Sequence, residues 1–322
     1  MKKWMIVSVA TLMVQLTAVV GAQDYPMKPI RIINPFAPGG PVDVVGRLVA
    51  AKLLEAWGQA IVIDNRPSSG GAIAGELVAR ARPDGYTLLV TSTTFAINAS
   101  LYPKLPYDTS KDFAAVVPIG SSPGLFTAHP SLPVGSIRDL IALAKKRPGE
   151  LNYASSGNGT PGHLGMVILE KQAGIELVHV PYKGAAPAIN DLLGGQVQLA
   201  SANISAVLPH VKAGRLRALG VTSLQRWPTI PDVPTVAEEG LAGYEAINWY
   251  GLFAPARTPA PVIAKINAEV SRIVESPEIR ERLASLGLAA AAPMRSAEFS
   301  AFFHSEITKW AQAVKASGAR PD

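Results

Sequence analysis

Residues 30–43, which decide the fold class, are Ile30-Arg31-Ile32-Ile33-Asn34-Pro35-Phe36-Ala37-Pro38-Gly39-Gly40-Pro41-Val42-Asp43. The β-rich run 30–33 is stopped by Asn34-Pro35, which predicts a short strand followed by a turn. A helix is predicted over residues 42–57, behind Pro41, which suits the first turn because its missing N–H is not needed there. A strand, a glycine-rich loop and a helix in this order form the repeating unit of a parallel, doubly wound sheet.

The same unit recurs along the chain. Further strands are predicted at residues 61–63, 86–90, 151–154, 177–180, 197–200 and 216–222. Further helices are predicted at residues 72–81, 134–146, 163–172, 186–193, 261–274 and 296–315. The fold class is therefore α/β, with parallel sheets flanked by helices.

Two segments are predicted to cross between two lobes. Residues 116–127 and 248–254 are β-rich and are bounded by proline or glycine. We expect one lobe from residues 23–122 and 251–322 and a second lobe from residues 123–250, joined by two hinge strands. Ligands of such open sheets bind outside the carboxyl ends of the strands, so a cleft between the lobes is the expected site.

Composition excludes several classes of protein. The 322 residues are 48 % hydrophobic and 17 % charged, as in a packed globular protein. The absence of cysteine excludes disulfides, thiolate nucleophiles and cysteine-ligated zinc. The net charge of +6 comes without a block of Lys or Arg, so we expect no nucleic-acid binding. The five histidines lack i,i+4 pairing, so no metal site is expected.

The first 22 residues have the pattern of a secretory signal peptide. Lys2 and Lys3 precede an apolar run that ends in the small residues Val20-Gly21-Ala22. A membrane anchor is the alternative, but the polar interruptions of the run and its small-residue end favour cleavage after Ala22. No cysteine follows the run, which excludes a lipoprotein anchor. We therefore expect export to the periplasm.

Two short motifs suggest other functions and are rejected on their context. Residues 157–162 match GxGxxG, but the next strand ends in Val180-Pro181-Tyr182-Lys183, without the acid that holds a ribose hydroxyl, so no NAD and no other cofactor is expected. An anion at the start of the following helix is still expected. Residues 120–124 match GxSxG, but strand-like residues follow where a nucleophile elbow needs a helix.

Glycine- and hydroxyl-rich loops at helix starts are the main chemical feature. They occur at residues 38–43, 68–71, 92–98, 155–163 and 182–185. Any α/β sheet needs such turns, but five of them in an exported two-lobed chain favour a binding role. Their backbone N–H and hydroxyl donors suit a small carboxylate.

A family resemblance runs through essentially the whole predicted mature chain. The segments that carry it are residues 34–43, 63–67, 82–86, 151–160, 179–184 and 231–235. They are similar to those of the Bug/TctC family, the extracytoplasmic solute receptors of the tripartite tricarboxylate transporter. The resemblance implies a two-lobed periplasmic-binding-protein fold, type II-like, with a hinge. It also implies a ligand carboxylate held by backbone amides and ordered waters.

The resemblance also implies a set of ligand-binding residues. Matched to the family pattern are Phe36, Ala37, Gly40, Asp43, Ser155, Ser156, Gly159, Thr160, His163, Tyr182 and Lys183. Ser92 and Ser201, at two other predicted strand ends, complete the candidate set. For Asp43 we expect that its carboxylate satisfies free N–H groups at the helix start rather than touching ligand.

Two departures from the family pattern bear on the ligand. Residues 68–71 are Ser-Ser-Gly-Gly where relatives more often have Gly-Ala-Gly-Gly, and residues 198–203 lack the Asp-like residue common there. The second departure removes a partner for a ligand ammonium or hydroxyl, which favours a plain carboxylate over an amino acid.

The predicted function is that of a monomeric, non-enzymatic receptor that delivers a small carboxylate to membrane transporter subunits. Two alternatives stay open at this point. One is a sensory binding protein that signals to a membrane kinase. The other is a secreted hydrolase that uses Ser122 or Ser156 with His129 or His163.

Overall fold

A computed structural model describes residues 25–321 of the chain. The predicted signal peptide at residues 1–22 lies outside the described residues. Within the described part, no helix combines the length and the apolar character needed to cross a bilayer.

The strands follow the predicted order closely. They are β1 (Ile30–Asn34), β2 (Ile61–Asn65), β3 (Thr87–Ser92), β4 (Phe113–Ala128), β5 (Asn152–Ser155), β6 (Val178–Pro181), β7 (Leu199–Asn203), β8 (Arg217–Val221), β9 (Ile247–Pro255) and β10 (Ala289–Ala290).

The helices lie between these strands and at the carboxyl end of the chain. They are α1 (Pro41–Trp57), α2 (Ala72–Ala79), α3 (Thr94–Leu101), α4 (Ile137–Lys146), α5 (Pro161–Ala173), α6 (Ala185–Leu193), α7 (Ile204–Lys212), α8 (Ala260–Glu275), α9 (Pro277–Ser285) and α10 (Ser296–Ser317). A short 3-10 turn, Ser69–Gly71, precedes α2.

Two parallel strand sets form the two lobes. In the first lobe, β1 pairs in parallel with β2 and β3. In the second lobe, β5 pairs in parallel with β6 and β7. Antiparallel pairs complete each sheet. In the first lobe β9 pairs with β3, and in the second lobe β7 and β8 pair with β4.

The two predicted crossing segments are the long strands β4 and β9. They pair antiparallel from Phe113↔Pro255 to Pro123↔Ile247. Beyond that point β4 continues into the second sheet, where Gly124 pairs with Asn203 of β7. The lobes are therefore joined through one continuous strand and its antiparallel partner, as the sequence predicts.

The helix α10 packs against both lobes. Its Phe299 and Phe303 lie in one buried cluster with Phe95 of α3 and with Leu164 and Leu169 of α5. Glu306, also on α10, has a buried side chain. Its carboxylate accepts hydrogen bonds from two indole groups, Trp249 Nε1 at 2.9 Å and Trp310 Nε1 at 2.8 Å. Since Trp249 belongs to β9, this carboxylate fixes the last helix to a hinge strand.

Three helices were missed in the sequence. Residues 92–98 are rich in Ser, Thr and Asn, which favour turns, yet α3 begins at Thr94. Phe95, Ile97 and Leu101 are buried there, so tertiary packing outweighs the local preference. The helices α7 and α9 were also not predicted; α7 contains Pro209, a residue that weakens a helix prediction.

Candidate functional site

A cavity of about 200 Å³ lies between the two lobes. We call it the first cavity. Its first-lobe walls come from the loop after β1, the 3-10 turn and α3, and its second-lobe wall from the loop after β5. The lining residues that carry hydroxyl or amide side chains are Ser68, Thr91, Thr94, Asn98, Asn158 and Thr160, and the aromatic ones are Phe36, Phe95 and Tyr102.

The N-terminus of α3 points into the first cavity. Thr94 and Phe95, the first two residues of the helix, both line the cavity. The preceding residue, Thr93, provides no side-chain cap, because its Oγ1 donates to Ile247 O and accepts from Trp249 N. The first amides of a helix carry partial positive charge, so this end of the cavity suits an anion.

The 3-10 turn before α2 is held by two side chains of the cavity wall. Asn98 Nδ2 donates to Gly70 O at 2.8 Å, and Ser68 Oγ accepts from Ile73 N at 3.1 Å. Gly70 and Gly71 have φ of 62° and 64°, the left-handed region that glycine tolerates. This turn therefore brings backbone, rather than bulky side chains, to the cavity.

The loop after β5 supplies the second-lobe wall. Thr160 caps α5, since its Oγ1 accepts from His163 N at 3.4 Å and donates to Gly157 O at 2.8 Å. Gly159 has φ of 66°, and a Cβ on it would lie 2.4 Å from Leu101 Cδ2 of α3. The loop therefore contacts the first lobe at Gly159, where the positive φ favours glycine and a side chain would displace Leu101.

A stack of aromatic rings supports this loop from below. His163 is 4 % exposed, and its Nδ1 accepts from Gly159 N at 3.1 Å. Burial, together with the neighbouring His179, lowers the pKa of His163 to about 4. Ser155 lies in the same layer, 1 % exposed, with its Oγ 2.7 Å from His179 Nε2. His163 and Ser155 therefore support the loop from inside the lobe.

A second cavity of about 140 Å³ lies at the junction of α5, β7 and the hinge. Its polar lining residues are Ser156, Ser201, Asn203, Thr222 and Asn248. A Cβ on Gly162, at the start of α5, would lie 2.5 Å from Ser201 O, so this helix start fits tightly against β7. The first and second cavities thus flank the same loop, residues 155–163.

The loop after β1 is organised around Asp43. Its Oδ2 accepts from Gly39 N at 3.0 Å and from Arg47 Nε at 2.8 Å, and its Oδ1 accepts from Asn65 Nδ2 at 2.9 Å. Burial acts to raise the pKa of Asp43, but these hydrogen bonds outweigh it and lower the pKa to about 2. Asp43 is 3 % exposed, and its carboxylate faces its own loop.

The other candidates in that loop differ in position. Phe36 lines the first cavity, whereas Ala37 and Gly40 are not among the lining residues of either cavity. Gly40 has φ of −74°, and the left-handed residue is Gly39, with φ of 85°. A Cβ on Gly40 would meet nothing closer than Ala37 O at 3.7 Å.

Three further candidates are not themselves among the lining residues of either cavity. Ser92 is 3 % exposed, and its Oγ lies 3.4 Å from Thr94 Oγ1. Tyr182 donates to Asp191 Oδ2 at 2.7 Å and packs beside the apolar cluster of the second lobe. Lys183 is exposed.

The electrostatics of both cavities rest on backbone and neutral groups. Among the described residues, neither lining includes Asp, Glu, Lys, Arg or His. The available donors are amides, hydroxyls and side-chain amides. No group of three or more His, Cys, Asp or Glu suited to a metal ion occurs within residues 25–321.

Of the four side chains in the hydrolase hypothesis, Ser156 lines the second cavity, and the other three have partners elsewhere. Ser122 is fully buried, and its Oγ accepts from Asn203 Nδ2 at 2.7 Å and lies 3.5 Å from Tyr250 Oη. His129 bonds to Ser131, and His163 to Gly159. Ser155, which lies 2.7 Å from His179, is buried, so a substrate has no access to it.

Several cavity residues were missed as individual sites. Ser68, Thr94 and Asn98 line the first cavity, and Asn203 and Asn248 line the second. The first three lie in loops that the sequence singled out as rich in glycine and hydroxyls. The last two had a weaker signal, their position at predicted strand ends.

Comparisons with known proteins agree with this architecture. Residues 45–319 match the model of the TctC family, described as tripartite tricarboxylate transporter family receptor. A UPF0065 protein from the tcbD-tcbE intergenic region of Pseudomonas sp. (strain P51) is 40 % identical over 90 % of this chain and 86 % of its own. Protein BugT of Bordetella pertussis is 36 % identical over 95 % of this chain and 94 % of its own.

Solved structures give the same result. R. palustris Rpa4515 with adipate superposes with a TM-score of 0.76 at 36 % identity, covering 93 % of this chain and 100 % of that one. MatC from Rhodopseudomonas palustris with bound malate gives a TM-score of 0.73 at 34 % identity, covering 90 % and 100 %. The predicted two-lobed α/β fold is confirmed. The chain belongs to the TctC, or Bug, family of solute receptors, which are binding proteins rather than enzymes.

Proposed function

We propose that this protein is a periplasmic receptor that binds a small carboxylate between its lobes, in the first cavity. The observation that carries the proposal is the N-terminus of α3, which opens into that cavity without a side-chain cap. Relatives of similar fold were solved with adipate and malate, both dicarboxylates, which supports the same ligand class here.

The absence of charge in the cavity lining favours binding through dipoles. A carboxylate can take several hydrogen bonds from backbone amides and hydroxyls, each worth about 1.5–3 kcal/mol when the acceptor is charged. In this proposal the ligand lies between Thr94 and Phe36 on one side and Gly159 and Thr160 on the other. Ser156 and Ser201 belong to the second cavity and hold the far end of a longer ligand.

The remaining sequence candidates take different roles in this proposal. Ala37 and Gly40 form the outer rim of the site, and Lys183 lies outside it. Asp43, Ser155 and His163 shape the two loops from within. The lobes are residues 23–122 with 251–322 and residues 123–250, and they close by hinge bending of β4 and β9.

The partner in this proposal is a tripartite transporter in the membrane, reached after export and removal of residues 1–22. A sensory role is the second candidate, because a sensor would use the same fold and cavity. Uptake of radiolabelled ligand separates the two. A strain without the protein loses uptake if it is a transport receptor and keeps uptake if it is a sensor.

Calorimetry with the purified protein tests the ligand class. Adipate and malate should bind and their uncharged diamides should not. Thr94→Val keeps the side-chain shape but removes one hydroxyl, and we expect roughly 10-fold or greater weakening. Thr308→Val, on the exposed face of α10, is the matched control and should bind normally. If no dicarboxylate binds, or if the diamides bind equally well, the proposal is wrong.

A further inference from the structure

A third cavity of about 420 Å³ lies beside the hinge. One wall is the loop after β8, and the other is the segment from α9 through β10. The lining residues are Trp227, Pro228, Thr229, Arg280, Ala284, Leu288, Ala289, Ala290, Ala291, Ala292 and Pro293. None of them lines the first or second cavity, so this is a separate site in the described part of the chain.

The chemistry of the third cavity differs from that of the first two. Alanine, proline and leucine form most of its surface, together with the partly buried ring of Trp227. Its size falls within the ~300–1,000 Å³ range of small-molecule sites, which are mostly apolar with a few polar groups.

Arg280 is the one cationic residue among the described residues that line the third cavity. Arg280 is exposed and forms no ion pair with any residue in the described range 25–321. No acidic side chain is among the lining residues to neutralise it. The cavity therefore combines an apolar surface, an indole ring and one unpaired guanidinium.

We propose that the third cavity binds a small organic anion with an apolar body, of the class of aromatic or branched monocarboxylates. The guanidinium of Arg280 pairs with the carboxylate, for which its planar fork is suited. The apolar body lies against Trp227 and the alanine-rich segment. This ligand differs from the polar dicarboxylate of the first cavity because here a charged side chain, not helix amides, supplies the positive charge.

The position of the third cavity links it to the arrangement of the lobes. Trp227 packs beside the apolar cluster of the second lobe, whereas Leu288 belongs to the cluster of the first lobe. The strand β10 pairs with hinge residues Gly120 and Ser121 of β4. A ligand that touches both walls favours the lobe arrangement in which they are correctly spaced.

Fluorine NMR of protein labelled with 5-fluorotryptophan tests this site directly. The Trp227 signal is assigned by its loss in Trp227→Phe. Benzoate and cyclohexanecarboxylate should shift this signal in a saturable way and leave the Trp57 signal unchanged. Benzamide, which lacks the charge, should give at least a 10-fold weaker response.

Two arginine variants on the same helix make the comparison sharp. Arg280→Ala should weaken benzoate binding 10-fold or more, whereas Arg282→Ala, exposed on α9 but outside the lining, should not. Equal binding by both variants would overturn the proposal, as would a shift at another tryptophan only. The protein would be used at about 1 mM. If neither acid gave a response at concentrations up to about 20 mM, a 20-fold molar excess, the proposal would be overturned as well. These results do not depend on whether adipate or malate binds in the first cavity.

Discussion

His163 and His179 stack face to face, with 3.8 Å between their ring centroids and 7° between their planes. His163 lies in the first turn of α5 and His179 on β6. Tyr153 of β5 extends the stack, with its ring centroid 4.9 Å from that of His179. Since His163 Nδ1 accepts the Gly159 N–H, the loop at the first cavity needs a neutral imidazole.

This stack predicts a loss of stability in acid. Burial and His179 hold the pKa of His163 at about 4, below the value near 6.5 expected in the unfolded chain. Between these values the unfolded state binds more protons, so the contribution is present above pH 6.5 and is lost as the pH falls toward 4. The expected size is about 2–3 kcal/mol.

Urea unfolding at several pH values measures this effect. From pH 7 to 4 the wild type should lose more stability than His163→Asn, which keeps an acceptor for Gly159 but cannot titrate. His304→Asn, at an exposed position on α10, is the control and should follow the wild type. Parallel curves for wild type and His163→Asn would contradict the prediction.

Asp43 should matter for stability more than for binding. In Asp43→Asn, an N–H₂ group replaces one of the oxygens that accept from Gly39, Arg47 and Asn65, and we expect a loss of about 1–3 kcal/mol. The lowered pKa of Asp43 also predicts a pH dependence. The stability that the ionised carboxylate contributes is present above pH ~4 and is lost as the pH falls toward 2. Ligand affinity should change less than about 3-fold in calorimetry. Arg47→Gln, which removes a half-exposed partner, should cost under about 1 kcal/mol.

Two glycines of the candidate site should respond differently to alanine. Gly40→Ala should change stability by less than about 0.5 kcal/mol, because its φ is ordinary and the nearest atom to a Cβ is 3.7 Å away. Gly159→Ala should cost at least about 1–2 kcal/mol, since its φ is 66° and its Cβ would clash with Leu101.

A double-mutant cycle identifies the source of that cost. Leu101→Ala removes the side chain that the new Cβ meets, so the double variant should be more stable than the sum of the two single losses predicts. Strict additivity in thermal unfolding would mean that Gly159 and Leu101 do not meet.

Glu306 should be a strong stability determinant of the last helix. Glu306→Leu leaves the indole N–H groups of Trp249 and Trp310 buried without an acceptor, at about 1–3 kcal/mol each. Glu306→Gln keeps an acceptor oxygen and should lose less. Glu298→Gln, an exposed site on the same helix, should lose under about 1 kcal/mol. Chemical denaturation measures the free energy of unfolding of the three variants. Equal stability of Glu306→Leu and Glu306→Gln would refute this role.

The hinge predicts a change in overall shape with ligand. The continuous strand β4 and its partner β9 join the lobes, and bending near Pro123 and Ile247 would let them close. Small-angle scattering with saturating adipate or malate should give a smaller radius of gyration than without ligand. The uncharged diamides should leave the radius unchanged. An unchanged radius with bound dicarboxylate would show that the lobes do not close on binding.

The sequence by itself determined the order of most strands and helices, though not α3, α7, α9 or β10, and it also determined the crossing segments and the family. These features depend on local signals: β-branched runs form strands wherever they pair, and Gly or Pro ends them. It also indicated that Asp43 serves its own helix start, because a carboxylate at that position meets free amides within a few residues.

The tertiary structure alone decided which of these loops share a cavity. Residues 92–98 have loop-like composition, but with Phe95 and Leu101 buried, α3 begins at Thr94 and its first turn faces the first cavity. His163 matched a ligand-binding pattern, yet it lies under the loop in a stack with His179. Such placements depend on contacts between residues far apart in the chain, as between Gly159 and Leu101, and local propensity carries no information about which distant side chain fills the space.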